Sequence, residues 1–104
     1  MTELEGYRRQ IDAIDAQLVE LFLRRMEVTG AVGRYKQERG LPVLDAERER
    51  RVIAGKTEQI GDTARRADVA ALYETIMGRS RRQQRQLVRE AAAPGVTACA
   101  AAMA

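Results

Sequence analysis

From Thr2 onward the apolar residues of the chain keep a seven-residue period. One seam position holds Leu4, Ile11, Leu18, Arg25 and Val32; the other holds Tyr7, Ile14, Leu21, Val28 and Tyr35. Nine of these ten are apolar, and the exception is Arg25. Thr2 followed by Glu5 is a capping box, so a helix should start at once. No proline interrupts it before Pro42, and Gly40 is a natural stop. The pattern predicts one helix from about residue 3 to 38, roughly 54 Å long at 1.5 Å per residue. Residues 39–44 read as a loop, with Asp45 as the N-cap of a second helix over 46–60 whose stripe is Val52, Ile53 and Ile60. Gly61-Asp62 breaks it. A third helix over 64–91 carries Val69, Leu72, Tyr73, Ile76, Met77, Leu87 and Val88 on one face. The fold class is therefore all-α, three helices with one very long. Residues 1–91 form the domain, and residues 92–104 read as an Ala-rich, disordered tail.

Length turns this pattern into a statement about assembly. A compact chain of 104 residues is roughly 35 Å across. The first helix would overshoot its own globule, and a long apolar seam needs cover along its whole length. A second copy is the simplest cover, so a homodimer is expected. Composition then removes chemistry. There is no His and only one Cys, Cys99, which excludes an intramolecular disulfide, a Cys-based metal site and every Ser-His or Cys-His device. The net charge of +3 is mild and the basic residues are interleaved with acids, so no nucleic-acid partner is expected. No run of 18 apolar residues predicts a membrane span, and the acidic start lacks a signal-peptide core, so a cytoplasmic location is expected.

Polar residues on core faces are the candidate chemistry, because burying an unpaired charge costs several kcal/mol. Arg25 interrupts the seam; a buried structural ion pair, a register-setting residue and an anion site are all open readings. Lys36 follows eleven residues later, close to three turns, on nearly the same face. Gly30 and Gly33 lie between them, and glycine inside a helix costs about 1 kcal/mol, which points to close approach of a helix or a ligand. Glu49 precedes Val52 and Ile53 by three and four residues and so points coreward; Arg48 is beside it. The plainer reading is that Asp45, Arg48 and Glu49 merely begin a helix. Ser80 and Gln84 continue the apolar stripe of the third helix, either as interhelical hydrogen bonds or as pocket lining. Arg79, Arg81, Arg82 and Arg85 fall on other faces and read as solvated. Together the inward faces offer cations, an acid and an amide, which suits a small rigid dianion bearing a hydroxyl or ether group.

These residues resemble the all-helical (AroQ) class of chorismate mutases over about residues 4 to 88. Tyr7-Arg8-Arg9-Gln10-Ile11-Asp12-Ala13-Ile14-Asp15 is similar to that family's opening segment. Leu21-Phe22-Leu23-Arg24-Arg25 carries its central arginine, and Val32-Gly33-Arg34-Tyr35-Lys36 its Val-Gly-x-x-Lys. Leu41 to Glu49 resembles Pro-Val-x-Asp-x-x-Arg-Glu, and Ser80 to Gln84 fits Ser-x-x-x-Gln.

The resemblance implies an intertwined helical homodimer that rearranges chorismate to prephenate without cofactor or metal, in aromatic amino acid biosynthesis. It implies that Arg8 crosses from the second chain to bind one carboxylate, while Arg25, helped by Ser80, binds the other. Arg8 and Arg25 are roughly 25 Å apart along one helix, which agrees with a crossing. Lys36 and Gln84 would donate to the ether oxygen, Glu49 and the backbone near Asp45 would hold the ring hydroxyl, and Arg48 would orient Glu49 and the substrate. An isochorismate-pyruvate lyase or an amino-deoxychorismate mutase on the same scaffold is the nearest alternative. Against the lyase, Asp45, Arg48 and Glu49 are intact. A non-catalytic dimeric helical module is the alternative from another class. A synthase of the aromatic pathway is a further expected partner, docked through the basic third helix or the tail.

Overall fold

The computed structural model describes residues 2–92, and these form three helices, α1 (Glu3–Glu38), α2 (Ala46–Thr57) and α3 (Thr63–Ala92). The expected tail lies outside the described residues except for Ala92, which still belongs to α3.

The ends of α1 explain its length. Thr2 Oγ1 accepts the backbone N–H of Glu5 at 3.1 Å. At the other end Gly40 takes a φ of 66°, the left-handed region that glycine enters without a Cβ penalty. The N–H of Leu41 then reaches back to the Lys36 carbonyl at 2.8 Å, and that of Gly40 to the Gln37 carbonyl at 3.3 Å. This paired closure satisfies two orphan carbonyls and turns the chain sharply toward α2. Asp45 caps α2 by accepting the Arg48 N–H at 3.0 Å. α2 stops at Thr57, three residues short of the sequence expectation. There the Ile60 N–H closes a tight turn onto the Thr57 carbonyl at 3.0 Å, ahead of Gly61. Asp62 caps α3, accepting from Ala64 N at 2.9 Å.

α3 lies parallel to the C-terminal half of α1. Arg25 meets Ser80, Thr29 meets Gln84, and a Cβ on Gly33 would meet Leu87, so both numbers rise together. α2 runs antiparallel to α3: Glu49 pairs with Arg81, and Lys56 shares a cavity wall with Tyr73. Two glycines let α1 and α3 come close. A Cβ on Gly30 would sit 3.1 Å from Gln83 Nε2, and one on Gly33 only 2.8 Å from Gln84 Cγ. The close approach foreseen for these glycines is thus made by a helix.

The molecule measures 57 × 35 × 15 Å, one helix layer thick. A single layer has nothing to bury its apolar faces against. Among the described residues Met77 is the one buried hydrophobic side chain, and the other buried side chains, Thr57, Ser80 and Gln84, are polar. The nine apolar seam residues of α1 are all exposed, from 39% at Val32 to 64% at Val28.

Candidate active site

The space between the C-terminal half of α1, the start of α2 and the middle of α3 is a cavity of about 320 Å³. Its walls bring together seven of the eight residues singled out in the sequence: Arg25, Lys36, Asp45, Arg48, Glu49, Ser80 and Gln84. Arg8 is not among them. It lies near the far end of α1, on the exposed stretch.

Arg25, Lys36 and Gln84 are each anchored, yet keep donors to spare. Arg25 Nη1 donates to Ser80 Oγ at 3.0 Å, and Ser80 in turn donates to the Ile76 carbonyl at 3.1 Å. Arg25 pairs with no carboxylate among the described residues, so the reading of a buried structural ion pair is not what the fold contains. A guanidinium has five N–H groups; four remain for a ligand. Lys36 Nζ donates to the Val43 carbonyl at 2.9 Å, which ties the loop to α1 and leaves two ammonium protons. Gln84 is 5% exposed, and its Nε2 donates to the Thr29 carbonyl at 2.9 Å, leaving its second N–H.

Each acid has one oxygen engaged. Asp45 spends one oxygen on the cap of α2. Glu49 accepts from Arg81 Nη1. Arg48 makes no side-chain bond to Glu49; the side chain bonded to Glu49 is Arg81. Arg81 was expected on a solvated face; it lines the cavity, and its side chain is 26% exposed. The reason is that α2 covers the face of α3 that carries Met77 and, one turn later, Arg81. Only α2's placement could have revealed this. Four cations against two carboxylates leave the cavity with a surplus of two positive charges. An adjoining cavity of about 420 Å³ shares Arg25 and Arg48 and adds Arg51 and Lys56, with no carboxylate in its wall. Across the two cavities cationic side chains outnumber carboxylates, so the region is electropositive.

Sequence reasoning also missed Gln83 and Thr29, which hold the site's frame. Gln83 Nε2 donates to the Met26 carbonyl at 2.9 Å, and Gln83 Oε1 accepts from Thr29 Oγ1 at 2.9 Å. Gln83 and Gln84 thus clamp α3 onto successive turns of α1. Near Arg8, Tyr7 donates to Glu3 Oε1 at 2.7 Å, and this bond raises the phenol above its usual 10.0, so it is a neutral donor at physiological pH. No described helix is long and apolar enough to cross a membrane.

Fold and site define a class: an all-helical protein with a cationic, amide-bearing cavity between its helices. The family model for chorismate mutase type II matches residues 7–85, and the chain belongs to that family. It is 32% identical over 84 residues to the T-protein of Haemophilus influenzae, covering 80% of this chain and 21% of that protein. The T-protein of Enterobacter agglomerans is 36% identical over 59 residues, covering 57% and 16%. A probable cytosol aminopeptidase of Pseudomonas fluorescens is 36% identical over 76 residues, covering 73% and 15%. The chain therefore spans about a fifth or less of the length of these curated relatives. No solved structure matches it.

Proposed function

We propose that this protein is a chorismate mutase, rearranging chorismate to prephenate in aromatic amino acid biosynthesis. The observation that carries the reading is the cavity itself. Its four cations, Lys36 among them, outnumber its two carboxylates by two, and Lys36 and the buried Gln84 amide keep donors unused.

The reaction is unimolecular: one C–O bond breaks as one C–C bond forms. No nucleophile or general base is required, which fits a chain without histidine. Arg25, steadied by Ser80, holds one carboxylate as a charge-assisted hydrogen bond. Lys36 and Gln84 donate to the ether oxygen. Negative charge grows there as the C–O bond opens, so both donors bind the transition state more strongly than the substrate. Glu49 and the backbone at Asp45 receive the ring hydroxyl, and Arg48, in the same cavity wall, helps to orient the substrate. Holding the compact conformer adds a proximity effect.

The second carboxylate is taken by Arg8 of the partner subunit in a homodimer. The exposed seam of α1 supports this. Covering nine half-exposed apolar side chains is worth on the order of 10 kcal/mol per chain before the costs of association.

The test is ultraviolet loss of chorismate with identification of prephenate. Unaltered protein should turn chorismate over, and Arg25→Ala or Lys36→Ala should each lose about 100-fold or more in kcat/KM. Full activity in both variants would refute the site. Pyruvate release from isochorismate would move the assignment to the lyase.

A further inference from the structure

Arg81 has no part in the roles above, yet it is built into the cavity wall. It follows Ser80 and is turned about 100° around α3 from it, toward α2. Its Nη1 donates to Glu49 Oε1, and the two side chains are 26% and 23% exposed. The other ion pairs among the described residues, Arg39–Glu38 and Arg65–Asp62, are local, long at 3.9 Å and mostly in solvent. The Arg81–Glu49 pair is therefore the one that joins two helices, and it does so inside the cavity. The bond goes to Oε1 only; Oε2 of Glu49 accepts nothing from a described residue.

We infer that Arg81 is a positioning residue for Glu49, and through it for the ring hydroxyl of the bound dicarboxylate. This rests on the proposed mutase reading. Arg81 does two things at once. It fixes the carboxylate by one oxygen, so that the other is held ready to accept a hydroxyl proton. It also balances the Glu49 charge, so that this acid does not cancel the cations that grip the dianion. A charge-assisted bond between half-buried partners restricts the Glu49 side chain far more than an exposed pair would.

The test is a double-mutant cycle with chorismate as the probe, together with an analogue lacking the ring hydroxyl. Arg81→Met should lower kcat/KM for chorismate about tenfold, and Arg81→Lys should recover most of that loss. In a Glu49→Gln background the Arg81→Met change should cost less than about twofold, because the group it positions is gone. On the hydroxyl-free analogue, Arg81→Met and unaltered protein should agree within about twofold. A merely structural role would lower all these rates alike. Should Arg81→Met not fold, Arg81→Gln carries the same comparisons. Equal losses with and without Glu49, or on both substrates, overturn the inference while leaving the mutase reading intact. Absence of chorismate turnover in the unaltered protein overturns both.

Discussion

At the scale of the residue, the cavity presents donors that are anchored but not exhausted. Gln84 is the sharpest case, because its amide is buried and already faces the Thr29 carbonyl. In Gln84→Glu an ionised carboxylate would oppose that carbonyl and offer no proton to the ether oxygen. Burial and the carbonyl favour the neutral acid, which raises its pKa in the fold above the roughly 4.3 of a free glutamate. The variant should then be active and stable at low pH and lose both as pH rises through the raised value. A kcat that does not change with pH in Gln84→Glu would exclude the donor role. Part of the cavity's lining was legible because polar residues on apolar faces stand out, while Asp45, Arg48 and Glu49 read as a helix start and joined the candidates only through the family resemblance. Arg25 interrupts a seam of nine apolar residues, and Ser80 and Gln84 interrupt a stripe. Arg81 was not legible. It sits within a run of arginines, and only the covering helix α2 distinguishes it from Arg79 and Arg82.

At the scale of the element, helix ends and glycines set the geometry that the residues need. The left-handed Gly40 closes α1 so that the loop carbonyl of Val43 returns to Lys36 of the same helix. These boundaries were readable, since Thr2, Gly40 and Asp45 are strong local signals. The early end of α2 was not, because Glu58, Gln59 and Ile60 are compatible with helix and it is the turn onto Thr57 that stops it. The contact of α3 with α1 depends on Gly33, where a Cβ would press on Gln84 Cγ at 2.8 Å. Gly33→Ala gains about 1 kcal/mol in helix propensity but meets an overpacking cost of roughly 1–3 kcal/mol. Thermal unfolding should show a lowered Tm, and kcat should fall because Gln84 is displaced. Gly6→Ala, with nothing within 4 Å of the added methyl, should raise Tm or leave it unchanged. A stabilised, fully active Gly33→Ala would contradict the close packing of α3 on α1.

At the scale of the whole molecule, the chain is a layer 15 Å thick with one buried hydrophobic side chain among its described residues. That is too little to hold a domain together. The heptad pattern and the length of α1 made its apolar seam legible, and that seam is exposed in the single chain; where a partner would sit depends on packing that no single chain encodes locally. The same incompleteness appears at the site, where seven expected residues meet and Arg8 stays remote. In the proposed homodimer a second copy would cover the open seam and supply its Arg8 to the cavity. Subunit mixing tests this directly. Arg8→Ala and Arg25→Ala, each nearly inactive alone, are refolded together in equal amounts. Random pairing makes half the dimers mixed, each with one intact and one doubly altered site, so about a quarter of the unaltered chorismate-consuming activity should return. No recovery above the separate variants, with both folded, would contradict a site shared between chains.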